Sequence, residues 1–297
     1  MPARGECPYI KEALGSVAQS TFAPFEVLII NDGMSQSAVD VVSQFKQKFE
    51  LKLITNEGSG LVDALNTGLK NAEGEFIARL DNDDLMLPSR LEIQIRQFEI
   101  NPTLVALGSE CVYINSEGVE VGKSHYPMGV LNFHPGFSTS CLLAHPSTMF
   151  RRDEANYIGG YRTVFKWNGT DIGEDFDFWL RMAKRGEIVN IPLALTKYRQ
   201  HNGQLSMLNL AGQLIGTPFI AAVNLLPEEI DSTVSFDGEI NGDLESYRRV
   251  IQKAFGVRRK FSLNLLITSF KLEHLGFKLL PRILRKLVSI LNRVFSP

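Results

Sequence analysis

The sequence predicts an α/β fold with a mostly parallel central sheet flanked by helices, and three observations carry that expectation. Apolar runs of strand length alternate with amphipathic helical stretches over the first hundred residues. Turn signals such as Asn31-Asp32-Gly33 close the runs. Acidic residues, Asp32 and the cluster Asp81-Asn82-Asp83-Asp84, fall just past two of them, where open parallel sheets usually hold their ligands.

Taken in order, residues 8–20 have helical spacing in Ile10, Leu14 and Val17, and 25–30 form a compact apolar run that reads as a buried strand. A second helix fits 38–49, a short strand 51–54, a third helix 60–71 and a further strand 75–80. Pro88 opens a helix through Phe98 with Leu91, Ile95 and Phe98 on one stripe, and 104–114 reads as another strand. The stretch 115–135, rich in Gly, Ser and Pro, is expected to be an irregular excursion. After Gly159-Gly160-Tyr161, the pair Glu174-Asp175 enters an amphipathic helix to Lys184, acid first, as the helix dipole prefers. From about Gln204 the acidic motifs stop and helices are expected to dominate, which puts a boundary near Leu205.

With 297 residues, 44% of them hydrophobic and 22% charged, the chain can bury a substantial core. A formal net charge of −2 gives no global case for nucleic acid as a partner. Cys7, Cys111 and Cys141 are odd in number and far apart, which suits reduced, buried thiols better than disulfides or zinc. The first residues lack the apolar core of a signal peptide, and no run reaches the eighteen or so apolar residues that span a bilayer. The expected location is cytoplasmic.

Three carboxylates within four residues make a dense patch of negative charge that calls for a positive partner. A divalent ion such as Mg²⁺ or Mn²⁺ answers, because hard cations prefer carboxylate oxygen and bridge readily to pyrophosphate oxygens. Alone, the same cluster would also suit a solvated turn ahead of the Pro88 helix.

The surrounding pattern resembles the family 2 glycosyltransferases. The resemblance rests on residues 25–33 (FEVLIINDG), 60–69 (GLVDALNTGL) and 80–84 (LDNDD), and continues in 145–152 (HPSTMFRR), 159–162 (GGYR), 174–181 (EDFDFWLR) and 198–201 (YRQH). It covers about the first two thirds of the chain, and the ordered combination is far more specific than any one piece. It implies a GT-A fold, here residues 1–204 as the catalytic domain, with a helical C-terminal region over 205–297. It also implies a nucleotide-sugar donor carried on UDP, GDP or dTDP, a divalent metal, a saccharide or lipid-linked acceptor, and inversion at the anomeric carbon.

By that resemblance Asp32 holds the nucleobase. Asp81 and Asp83 address donor ribose and phosphate, and Asp83 or Asp84 the metal. Asp175 is the general base, with Glu174 the less favoured candidate. Arg199 and His201 lie near the donor phosphates, and His145 and Arg151 on the acceptor side. Trp179 reads as helix core, not a sugar platform.

The family usually begins with an apolar strand followed by an aromatic–Asn pair; here Met1 is followed at once by Pro2, so a missing first strand is expected, and Arg4 and Gly5 replace the pair that helps seat the nucleotide. At the other end, Leu284, Leu287, Val288, Leu291 and Phe295 make one helical face, with Arg282, Arg285, Lys286 and Arg293 largely opposite. Such a basic amphipathic helix suits an anionic membrane surface or a packed partner face. The resemblance places the activity in cell-surface polysaccharide or lipopolysaccharide assembly. The competing readings are a truncated, inactive glycosyltransferase-like binding protein and a sugar nucleotidyltransferase, although no early Gly-rich, basic phosphate loop is present for the latter.

Overall fold

The computed structural model describes residues 1–133, 141–167, 169–204, 210–225 and 236–238. They fall into two compact units.

The first unit holds residues 1–133, 141–162 and 181–202. Its chain begins with β1 (Pro2–Gly5), α1 (Ile10–Val17), β2 (Val27–Met34), α2 (Gln36–Ser43), β3 (Leu51–Thr55) and α3 (Leu61–Asn71). β1, β2 and β3 form a parallel sheet in that order. The chain continues through β4 (Phe76–Ala78), β5 (Leu85–Met86), α4 (Arg90–Ile100), β6 (Leu104–Ile114), β7 (Glu120–Lys123), β8 (Gly129–Val130), a short 3₁₀ turn (His145–Ser147), β9 (Met149–Arg151) and α5 (Arg152–Tyr157). The second sheet runs β4-β9-β6-β12-β5, where β12 is Glu187–Arg199, with β7 and β8 attached at β6 and β12. Its long pairing, β6 with β12, is parallel, and its antiparallel pairings each join only two or three residue pairs.

The second unit contains β10 (Phe165–Trp167), β11 (Thr170–Asp171), α7 (Leu210–Val223) and β13 (Phe236–Gly238). α6 (Glu174–Met182) belongs to it as far as Leu180. Gly212 and Gly216 let α7 lie close against β10: a Cβ there would meet Trp167 at 2.8 Å and Phe165 at 2.7 Å. The basic helical tail expected over 282–295 lies outside the described residues, as does most of 205–297.

The core of the first unit follows the anticipated stripes. Ile10, Leu14 and Val17 of α1 and Leu91 and Phe98 of α4 are buried with Ile29, Leu104 and Leu107 of the strands. Burying side chains of this size contributes about 1.5–3 kcal/mol each.

Three expectations are corrected. The first strand is present as β1, with Pro2 opposite Ile30 and Ala3 opposite Asn31, and the Ile30 N–H bonding Met1 O at 3.0 Å. It escapes the sequence pattern because its four residues, PARG, hold no apolar run. Within 115–135 lie β7 and β8, held by backbone pairing although Val119, Val121 and Val130 are exposed. β12 carried no expectation from the sequence: Pro192 interrupts its alternation, and the register with β6 shifts between Ile191 and Ala194. α2 ends at Ser43, six residues short of the expected Phe49, after a start capped by the Ser35 hydroxyl.

Candidate active site

The site is built at the end of β4, where the backbone is fixed from both sides. The Arg79 N–H donates to Thr148 O at 2.9 Å, and the buried Arg90 guanidinium donates through Nη2 to Arg79 O and Thr148 O at 2.7 and 2.9 Å. From this anchor the chain turns through 81–84, with the Asp84 N–H reaching back to Asp81 O. Asn82 Nδ2 ties the turn to β1 through Pro2 O at 3.0 Å. β5 then pairs antiparallel with β12.

This turn brings Asp81, Asp83 and Asp84 together, with one oxygen from each within 4.8 Å of the others. Asp84 is buried: its Oδ1 accepts the Arg199 N–H at 2.7 Å, and its Oδ2 has no hydrogen-bond partner among the described residues. Burial, and then the charges of Asp81 and Asp83, push the Asp84 carboxyl well above its ordinary range. Asp83 is raised by burial and by Asp81, against the opposing hydrogen bond of His201, whose Nε2 lies 2.9 Å from Asp83 Oδ2. Three convergent carboxylates, one with an idle buried oxygen, make a donor set of the hard-oxygen type that Mg²⁺ or Mn²⁺ prefers. The residues therefore fit a divalent cation.

Arg199, anticipated near the donor phosphates, is fully buried. Its Nε donates to Asp83 O at 2.8 Å, Nη2 to Glu12 Oε2 at 2.8 Å and Nη1 to Asn115 O and Ser116 O at 3.3 Å each. The guanidinium also lies 4.2 Å from the Tyr9 ring centre. Its donors are spent on bracing the acidic turn against α1 and the end of β6. His201, two residues on, is partly exposed and packs its ring 5.4 Å from Tyr9.

Asp32 sits at the end of β2. The local turn here belongs to Asn31, whose Oδ1 accepts the N–H groups of Gly33 and Met34 at 3.0 and 2.7 Å. Asp32 is thereby free to reach across to α3, where Oδ1 accepts from Asn56 Nδ2 at 2.8 Å and both oxygens accept from the Gly60 N–H at 3.2 and 3.1 Å. The exposed Arg4 guanidinium stands 3.5 Å from Asp32 Oδ2. Gly60 precedes α3 with φ +92°, a conformation that favours glycine.

His145 is buried, with Nε2 2.9 Å from the Tyr161 hydroxyl. Burial, then the nearby Arg79 charge, push it well below its ordinary 6.5, so the imidazole is neutral. Tyr161 is fixed in turn by Asn66, which exchanges two hydrogen bonds of 2.8 Å with its backbone. The preceding Gly160 must be glycine, with φ +70° and a would-be Cβ only 2.5 Å from Asn66 Oδ1. Arg151 is not brought to the acidic cluster. It lies opposite Phe76 at the entry of β4, bonds Leu104 O and Glu75, and covers the rings of Phe76 and Phe98.

Glu174 and Asp175 open α6 in the second unit, after Gly173 with φ +68°. Asp175 Oδ1 accepts the Phe176 N–H at 2.7 Å. The helix is secured by Phe176, Phe178 and Trp179 in the core and by Asp177, whose Oδ1 accepts from Asn224 Nδ2 at 2.9 Å. Trp179 is fully buried, as its helical position suggested.

The residues that sequence reasoning passed over are Glu12, Asn56, Asn66 and Arg79. Arg79 carried a signal: it is a charge inside the otherwise apolar run FIARL, next to the acidic turn. The others are polar residues whose partners are distant in sequence.

The comparisons agree with this geometry. A family model described as glycosyl transferase family 2 matches residues 1–159. An uncharacterized glycosyltransferase of Haemophilus influenzae is 30% identical over 209 residues, which are 67% of this chain and 63% of that protein. The O-antigen biosynthesis glycosyltransferase WbnJ of Escherichia coli is 30% identical over 206 residues, 65% of this chain and 75% of WbnJ. The matches to two Rickettsia glycosyltransferases span only 37% and 31% of those longer proteins. Among solved structures, residues 1–349 of S. aureus TarS in complex with UDP-GlcNAc superpose with a TM-score of 0.60 at 18% identity, covering 99% of this chain and 80% of that one. The mannosyltransferase PcManGT of Pyrobaculum calidifontis, in complex with GDP-Man and Mn²⁺, gives 0.56 at 17% identity, covering 100% of this chain and 79% of that one. At these identities the structural likeness establishes the fold, a GT-A-like α/β architecture.

Proposed function

We propose, from the premise that the chain belongs to glycosyl transferase family 2, that it transfers a sugar with inversion from a nucleoside diphosphate carrier to a saccharide or lipid-linked acceptor. One observation carries the reading: three carboxylates converge just past the end of β4, and one keeps a buried oxygen without a hydrogen-bond partner among the described residues. Such an arrangement costs stability in the protein alone and is compensated by a cation.

In this reading Asp32 accepts a hydrogen bond from the nucleobase. Asp81 takes donor ribose or phosphate, Asp83 and Asp84 hold the metal, and His201 stands on the phosphate side. Arg199 positions the turn without touching the donor. His145 and Arg151 are assigned to the acceptor side of the cleft, as in the family motif. A bound Mg²⁺ or Mn²⁺ supplies positive charge to the leaving diphosphate. Asp175 removes the acceptor hydroxyl's proton as that oxygen bonds to the anomeric carbon, and the bond to the diphosphate breaks on the opposite face. Glu174 is the weaker candidate for base. An inverting transfer needs one such base and no covalent sugar–enzyme intermediate.

Similarity to an O-antigen biosynthesis enzyme supports a cell-surface polysaccharide or lipopolysaccharide acceptor. No helix among the described residues is long and apolar enough to cross a membrane. Action at the cytoplasmic face, with the basic amphipathic stretch of residues 282–295 on anionic lipid, is part of the proposal, and salt-sensitive co-sedimentation with anionic liposomes checks it.

The test of function is metal-dependent release of nucleoside diphosphate from a panel of UDP-, GDP- and dTDP-sugars. One carrier class should be consumed, and Asp175→Asn should lower the rate by about 100-fold or more while leaving nucleotide binding intact. A folded chain that neither binds nor turns over any donor contradicts the proposal.

A further inference from the structure

Arg79 is the one buried ionic side chain of the acidic turn whose arrangement is not explained by the roles assigned above. Its main chain is locked on both sides, by Thr148 through the N–H and by Arg90 through the carbonyl. Its side chain is 5% exposed, and Nη2 lies 2.7 Å from Asp81 Oδ1, whereas Nε and Nη1 are buried with no hydrogen-bond partner among the described residues. Asp81 is different: its side chain is 30% exposed, the more open end of this ion pair.

A guanidinium kept only for folding would be expected to saturate its donors, because each buried N–H left unpaired is costly. Arg79 leaves two unpaired and keeps the single contact with an accessible carboxylate. The backbone anchor and the short Nη2–Oδ1 contact together fix the rotamer of Asp81. We infer that Arg79 is a positioning residue: it holds the Asp81 carboxylate in the orientation that receives the nucleotide donor. Lysine cannot reproduce this hold, since a flexible ammonium lacks the planar fork that sets the direction of the bond.

This inference rests on the reading of Asp81 as a donor-binding residue, and a double-mutant cycle separates the two. Wild type, Arg79→Lys, Asp81→Asn and the double variant are titrated with UDP, GDP and dTDP in the presence of Mn²⁺ by calorimetry, with thermal melts to establish folding. Arg79→Lys should weaken binding of the accepted nucleotide about tenfold, and in the Asp81→Asn background should cost less than about twofold further. Additive losses overturn the positioning role, because a structural effect does not depend on Asp81. Unchanged affinity in Asp81→Asn refutes the donor-binding reading of Asp81 and the inference with it. Arg79→Gln replaces Arg79→Lys if the latter does not fold; if neither folds, Arg79 is a folding residue and the inference fails.

Discussion

Two buried arginines, eleven residues apart and joined through Arg79 O, behave in opposite ways. Arg90 donates to Gln94 Oε1 and to the carbonyls of Pro146, Arg79 and Thr148, and so bolts α4 to the end of β4 and the 3₁₀ turn. Among the described residues no carboxylate is paired with it, and burial pushes its pKa down to about 10. Among the described residues the Arg79 side chain has one hydrogen-bonded partner, Asp81; burial works against its charge, but Asp81, followed by Tyr161 and Asp84, favours it, and the pKa is raised. The contrast separates a structural centre, in which every guanidinium nitrogen has an acceptor, from a site, in which nitrogens are left over. Asp84 belongs with Arg79 in this respect, its Oδ2 idle while Oδ1 is held by Arg199.

The largest effect should come from breaking the saturated side. Arg90→Ala leaves Gln94 Oε1, Pro146 O and Arg79 O without their donor and should cost about 4 kcal/mol of stability, read by denaturant unfolding. Next, Asp83→Ala/Asp84→Ala should abolish metal-dependent nucleotide binding, a loss of about 100-fold or more, equivalent to about 2.7 kcal/mol. The melting temperature of the metal-free double variant should fall less than that of Arg90→Ala, because relief of repulsion within the carboxylate cluster offsets the loss of the acceptor of the Arg199 N–H. Equal destabilisation by both sets of changes would erase the distinction.

The smallest effect concerns His145. Its folded pKa lies below its ordinary 6.5, so the unfolded chain binds the extra proton first. Its contribution to stability is therefore complete above pH 6.5 and is lost as pH falls from there toward the folded value. His145→Gln should flatten that acid limb, and melts between pH 5 and 7.5 read it. An unaltered limb would mean that other groups govern it.

Much of this was legible in the sequence because it is local. The apolar run ahead of Asp32, the stripe of α4 and the density of Asp81, Asp83 and Asp84 depend only on neighbours along the chain. What was not legible depends on partners chosen by the fold. Asp84 meets the Arg199 N–H from 115 residues away, and Asn66 meets Tyr161 from 95. Arg199 is placed near the donor phosphates by the family motif alone, and its contacts with Glu12 and Tyr9, 187 and 190 residues away, depend on the fold. β1 and β12 were missed for the same reason. Their backbone pairing is set by β2 and β6, while their own residues include a four-residue PARG segment and a proline-broken run.

The most direct test of the central claim, that the idle valence of the acidic turn awaits a metal-bound nucleoside diphosphate, is calorimetry of the wild-type chain with UDP, GDP and dTDP, with Mn²⁺ and then with chelator. The account predicts binding of at least one nucleotide that appears with Mn²⁺ and vanishes on chelation. Binding indifferent to metal, or no binding by the folded chain, would contradict it.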